Sequence, residues 1–200
     1  MTRRRRTVLI SGIGGAGVLA GVGAALWRDA ATPGAASLGV DRGEGRAEDA
    51  AMVGADDVVR PAFWGRRFPR PEGGELELAA SRGHLLLLNF WATWCAPCVR
   101  ELPLLDRFQR AQAGAGWRVV GIAVDSLAPV QEFLQRQPLA FAVGLAGLEG
   151  SRLSRQLGNA DGALPFSVVI DRAGRVRARA RGETTASQLA GWAEEARAWS

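Results

Sequence analysis

The chain reads as a layered α/β domain, and three observations predict it. One is the run His84-Leu85-Leu86-Leu87-Leu88-Asn89-Phe90-Trp91, too continuously apolar for a strand with one wet face. The next is the stretch that follows, where Val99, Leu102, Leu105 and Phe108 recur at helical spacing. The third is the onward alternation of such segments, which gives the order β-α-β-α-β-α-β-β-α expected of a sheet layered with helices.

The elements follow in chain order. Phe63-Trp64 and Phe68, set among Arg and Pro, read as an extended entry segment, and Glu75 to Leu78 alternates as a short strand. The core strand over 84–91 leads into a helix over 96–113. Pro97 suits that helix's first turn, where its missing N–H costs little, and Pro103 should kink its interior. Residues 117–124 read as a second core strand, and Pro129 opens a helix to about Gln137. Phe141-Ala142-Val143 is a short strand, and a helix over 151–157 is closed by Gly158. A strand over 166–170 turns at Asp171-Arg172-Ala173-Gly174. The strand over 175–181 then puts Arg175, Arg177, Arg179 and Arg181 on one face. Those arginines are either a charge-protected sheet edge or a dock for an acidic partner. Thr185 and Gln188 have capping-box spacing ahead of a last helix that runs to Trp199.

Residues 1–28 form an export signal or membrane anchor. Four arginines, Arg3 to Arg6, precede an uncharged run over 8–27 about long enough for a short membrane span. Six glycines in that run would make a poor soluble helix. The arginines should stay cytoplasmic and send the rest outward. Arg5-Arg6-Thr7-Val8-Leu9 also looks like a twin-arginine export motif. Val22-Gly23-Ala24 offers a cleavage site, while Trp27 suits an uncleaved anchor, so both forms stay open. Residues 29–57, rich in Ala, Gly, Asp and Glu, read as a flexible tether, and a single domain fills 58–200.

Composition narrows the chemistry. All 25 basic residues are Arg; five lie in the leader segment, and the other 20 balance the 20 acidic residues. No basic patch for nucleic acid is indicated. There are two Cys, too few for a disulfide scaffold or a closed zinc site, and one His. No metal and no cofactor is expected. The pair Cys95-Ala96-Pro97-Cys98 stands where a core strand meets a helix. A helix N-terminus favours an anion, so Cys95 should attack as a thiolate. Cys98, one turn inside the helix, should resolve the mixed disulfide. His84, at the far start of the strand, reads as a strand-edge residue.

Asn89-Phe90-Trp91-Ala92-Thr93-Trp94-Cys95-Ala96-Pro97-Cys98-Val99-Arg100-Glu101-Leu102-Pro103 resembles the active-site stretch of the TlpA/ResA-like thioredoxin family. Gly162-Ala163-Leu164-Pro165-Phe166-Ser167 is similar to the family's segment around its cis-proline. The resemblance spans about residues 60–200. It implies a thioredoxin fold, a central mixed sheet flanked by helices, and an exported, often tethered, thiol–disulfide reductase. Pro165 should then be cis and face the cysteines, with Leu164 presenting backbone to the substrate chain. Trp94 should shape the site or merely fill core, and Pro97 completes the substrate-binding set. Glu101 matches a family Glu and either tunes the thiols or is an ordinary helix carboxylate. Asn89 departs from thioredoxin, which has a buried Asp there, so Cys98 needs another base or water. A peroxiredoxin motif is excluded by Leu88 and Ala92. Partners implied are protein disulfide substrates, a membrane-embedded thiol reductase as electron donor, and the inner membrane through residues 8–27, with the domain on the periplasmic side. An exported thiol oxidant, or a tethered metal-carrier module using the two Cys, are the alternatives.

Overall fold

A computed structural model describes residues 51–199. The expected leader over 1–28 and residues 29–50 of the expected tether lie outside the described residues. Among those described, no helix is long and apolar enough to cross a membrane.

The chain enters through α1 (Pro61–Trp64) and a ribbon of β1 (Arg67–Pro69) and β2 (Glu75–Glu77). Then come β3 (Leu85–Trp91), α2 (Ala96–Gln112), β4 (Trp117–Ala123), α3 (Leu127–Arg136), β5 (Ala142–Leu145) and α4 (Gly147–Gln156). The fold closes with β6 (Phe166–Ile170), β7 (Val176–Arg181) and α5 (Ala186–Glu195). The main sheet runs β5-β4-β3-β6-β7. β3, β4 and β5 are parallel, whereas β6 and β7 are antiparallel to their neighbours. This is the mixed sheet flanked by helices that the resemblance implies.

β3 is buried along its whole length, and its two faces feed separate cores. Leu85, Leu87 and Trp91 pack with Leu102, Leu105 and Phe108 of α2, Phe133 of α3 and Trp192 of α5. Leu86, Leu88 and Phe90 pack with Phe63, Phe68, Leu76 and Leu153 on the other side. Period-two alternation assigns each residue its face. Gly144 is needed where the ribbon crosses β5, because a Cβ there would lie 2.8 Å from Phe68 Cβ.

The structure revises several boundaries. Phe63-Trp64 is helical rather than extended, because Pro61 supplies a preset φ at the first helical position. Pro129 is the third residue of α3 and not its first, still inside the turn whose N–H groups have no helical partner. α4 begins at Gly147, four residues ahead of Ser151, and ends into Gly158 at φ 105°. β5 starts at Ala142, with Phe141 just outside it. α2 continues through Pro103. The packed fold also takes in residues ahead of Val58. Met52 is buried, its N–H donates to the Gln156 carbonyl at 3.2 Å, and its own carbonyl accepts from Arg60 N at 2.8 Å. Two adjacent apolar side chains, Met52 and Val53, among small and acidic residues give no periodic pattern by which to find them.

The capping box on α5 is present, with Thr185 and Gln188 bonding each other's backbone N–H. β7 is an edge strand, and its arginines are spent on the chain itself. Arg177 pairs with Asp171 at 2.6 Å and Arg179 with Asp57 at 3.0 Å, and Arg181 donates to the Gly158 carbonyl at 3.0 Å. That is the protected-edge reading.

Candidate active site

The sheet order brings the site together. β3 runs outward and delivers the Cys95 loop at its C-terminal end. β6 runs the opposite way beside it, with Phe166 in register with Phe90, so the residue before β6, Pro165, reaches the same edge. The Leu164–Pro165 peptide is cis. Pro165 is buried, and Leu164 is half-buried against the core cluster that holds both cysteines.

Cys95 is the N-cap of α2, and Pro97 is the second residue of that helix. The Cys98 N–H points at Cys95 Sγ, 3.3 Å away. A backbone donor aimed at the sulfur, backed by the helix dipole, stabilises negative charge there. The two cysteines are joined by a disulfide, with the sulfurs 2.11 Å apart. Cys95 retains 6 % of its surface and Cys98 none, so an incoming reagent meets Cys95. Trp94, immediately before it, is 69 % exposed, which rules out core filling as its role.

One turn past Cys98 on α2, Glu101 belongs to a buried polar cluster that sequence reasoning recognised only in part. Glu101 is 1 % exposed. It sits one turn past Cys98 on the same helix, the spacing at which side chains become neighbours. Glu101 Oε1 accepts from Asn89 Nδ2 at 2.7 Å, and Oε2 accepts from Thr184 N at 2.6 Å. Asn89 Nδ2 also donates to Ser167 Oγ at 3.0 Å. Asn89 Oδ1 is buried and has no hydrogen-bond partner among the described residues. Burial pushes the Glu101 carboxyl above the usual carboxylate range, against the opposing pull of the Thr184 and Asn89 bonds. Asn89 carries no carboxylate of its own but is hydrogen-bonded to the buried Glu101 one element away. Ser167 and Thr184 were not anticipated; they stand 78 and 83 residues from their partners, and nothing local marks them.

Two links brace the rim. Asp125, just past β4, accepts from Thr93 N at 2.9 Å and from Thr93 Oγ1 at 2.6 Å. Arg100 on α2 pairs with Glu183 at 2.9 Å, which takes up the cation nearest the cysteines in sequence. His84 lies at the opposite end of β3 from the site. Its pKa is lowered by burial and by the charges of Arg118 and Arg172. It takes no part in the cysteine site.

The Redoxin family model matches residues 61–192. The thiol-disulfide oxidoreductase ResA of Bacillus thuringiensis (strain Al Hakam) is 32 % identical over 122 residues, covering 60 % of this chain and 68 % of that one. The sporulation thiol-disulfide oxidoreductase A of Bacillus subtilis (strain 168) is 26 % identical over 128 residues, covering 62 % and 74 %. Among solved structures, the thiol:disulfide interchange protein of the thioredoxin family from Chlorobium tepidum TLS superposes with a TM-score of 0.57 at 29 % identity. That match covers 66 % of this chain and 92 % of that one. The fold is thioredoxin-like.

Proposed function

The chain belongs to the Redoxin family and is a thiol–disulfide oxidoreductase; within that class we propose that it reduces protein disulfides on the outer side of a bacterial inner membrane. The observation that carries the reading is the Cys95–Cys98 pair at the start of α2, with the buried Glu101 one turn past Cys98 on the same helix.

The reaction starts from the dithiol form. The Cys95 thiolate attacks one sulfur of the substrate disulfide, the substrate S–S bond breaks, and its other sulfur leaves as a thiolate that takes up a proton. Cys95 is now in a mixed disulfide. Cys98 then gives its proton to the Glu101 carboxylate and attacks Cys95 Sγ. The Cys95–Cys98 disulfide forms, and the second substrate sulfur departs and is protonated. Two electrons have passed from the dithiol to the substrate. A carboxyl whose pKa is raised by burial sits closer to neutrality, where it can take and return a proton. Trp94, Pro97, Leu164 and cis-Pro165 form the surface on which the substrate chain lies. The leader over 1–28 keeps the domain outside the inner membrane, and a membrane-embedded thiol reductase restores the dithiol.

What surrounds Cys95 supports reduction rather than oxidation. A strong oxidant needs a deeply depressed Cys pKa, which stabilises the dithiol form. Here a buried carboxylate lies one turn past Cys98, and the nearby Arg100 is neutralised by Glu183. Nearby negative charge raises a thiol pKa. The test is equilibration of the pair against glutathione. A potential near the thioredoxin value of about −270 mV supports the reading; one near about −120 mV, that of a strong oxidant, overturns it.

A further inference from the structure

The sheet end opposite the cysteines gathers cations that the fold leaves without carboxylate partners. Leu85 opens β3 in register with Trp117 at the start of β4, and antiparallel β6 brings Ile170 against Leu86. His84, Arg118 and Arg172 lie one or two residues from these positions, so all three stand at that end. The charges of both arginines act on His84. Arg172 donates to the Ala115 carbonyl at 3.1 Å, and Arg118 donates to the Ala80 carbonyl. Arg82 is exposed two residues before His84. None of Arg82, Arg118 and Arg172 forms an ion pair among the described residues. The neighbouring carboxylates are taken, Asp171 by Arg177 at 2.6 Å and Glu194 by Arg197 at 2.8 Å.

Beside these cations the surface opens into a cavity of about 590 Å³, walled by Leu85, Trp117, Arg172, Arg197 and Trp199. Trp199 is half-buried, with its ring centroid 6.4 Å from that of Trp117. An indole wall under a cationic rim is amphipathic, and Trp favours the level of lipid headgroups for that reason.

We propose that this end of the domain docks on anionic phospholipid headgroups, with Arg82, Arg118 and Arg172 toward the phosphates and Trp199 among the headgroups. This rests on the reading that the domain works at a membrane surface, and it adds an orientation and a lipid class. Charge complementarity argues for that occupant. Guanidinium groups without carboxylates take phosphate oxygens well. The arginines come from three separate connections, so a plane of headgroups meets all of them where a single small anion would not. Each arginine near an anionic surface is worth roughly fivefold in affinity. Contacts of that size hold the domain reversibly, so it can still turn to a membrane-embedded donor. While docked, the length of β3 keeps Cys95 about 20 Å or more from the lipid and facing soluble polypeptides.

The test uses the full-length protein in nanodiscs of phosphatidylcholine alone or with phosphatidylglycerol. His84 is the only His in the chain, so its carbethoxylation by diethyl pyrocarbonate reports this end alone. Modification should be at least about fivefold slower in the anionic discs, and about 0.5 M salt should remove the difference. Arg82→Gln, whose side chain has no bond to lose among the described residues, should restore part of the rate. Arg118→Gln with Arg172→Gln should bring the two discs within about twofold, while exchange with hydroxyethyl disulfide is unchanged. Equal rates in the two discs for the unsubstituted protein overturn the proposal without reference to any variant. So does equal slowing by inorganic phosphate in phosphatidylcholine discs, which would make this a small-anion site, or slowing that survives both salt and the substitutions. Co-migration with anionic discs only keeps the docking surface and defeats the anchor reading; co-migration with neither defeats both.

Discussion

Asn89 on β3 and Glu101 on α2 are joined by a 2.7 Å hydrogen bond in a buried polar cluster. The strand residue donates and the helix residue accepts, so the negative charge belongs to the helix. It stands one turn from Cys98, the thiol that on the proposed mechanism loses a proton to complete exchange.

The first prediction concerns that proton. Glu101→Gln should slow resolution of the mixed disulfide by about 10²-fold or more, the usual worth of a positioned base. The first attack by Cys95 should change far less. Stopped-flow separation of the two steps checks this, and equal slowing of both would defeat the role.

The second concerns stability against pH. Glu101 has a folded pKa above its unfolded value, so between the two the folded chain holds the extra proton. Its contribution is then most favourable below the unfolded pKa and is lost as pH rises through the folded pKa. Urea unfolding should show stability falling with pH across that window in the unsubstituted protein. In Glu101→Gln that component of the slope should disappear. A slope unaltered by the substitution would show that burial is not what sets this group's proton affinity.

Asn89→Asp replaces a donor to Glu101 with a second carboxyl. Two carboxylates in one buried site cannot both ionise without penalty. The variant should lose about 1–3 kcal/mol at pH 8, on the order of a buried polar group without its partner, and recover part of it at pH 5. Identical losses at the two pH values would mean packing, not charge, is responsible.

The cysteines should behave asymmetrically. Cys95→Ser abolishes exchange, whereas Cys98→Ser traps substrates as mixed disulfides on Cys95, the sulfur that keeps some exposure. Mass spectrometry of adducts decides it; adducts on Cys98 in the Cys95→Ser protein, with none in the other, would reverse the roles.

Location is testable at the leader. A reporter fused after Ser200 should be active outside the cytoplasm, and activity only inside would exclude export. Arg5-Arg6 replaced by Lys-Lys should block export only if the twin-arginine route carries the protein.

Much of the fold was legible because its determinants are local. Continuous apolarity over 85–91 declares a strand buried on both faces, and Cys95 at its end meets a helix whose first turn tolerates Pro97. The short entry helix is not legible in sequence, since Phe63-Trp64 alone shows no period and Pro61 suits both conformations. Helices α3 and α4 begin earlier than their clearest markers, Pro129 and Ser151, because a first turn needs no apolar face.

The sequence by itself determined the chemistry: two cysteines in the whole chain, three residues apart, at a strand-to-helix junction, have little use but exchange. Tertiary structure alone decided what surrounds them. Ser167 and Thr184 reach Glu101 and Asn89 only because antiparallel β6 and the loop after β7 fold back beside β3. A strand's pattern records which of its faces is buried, but not which strand lies next to it, and the hydrogen-bonded setting of Glu101 depends on those neighbours.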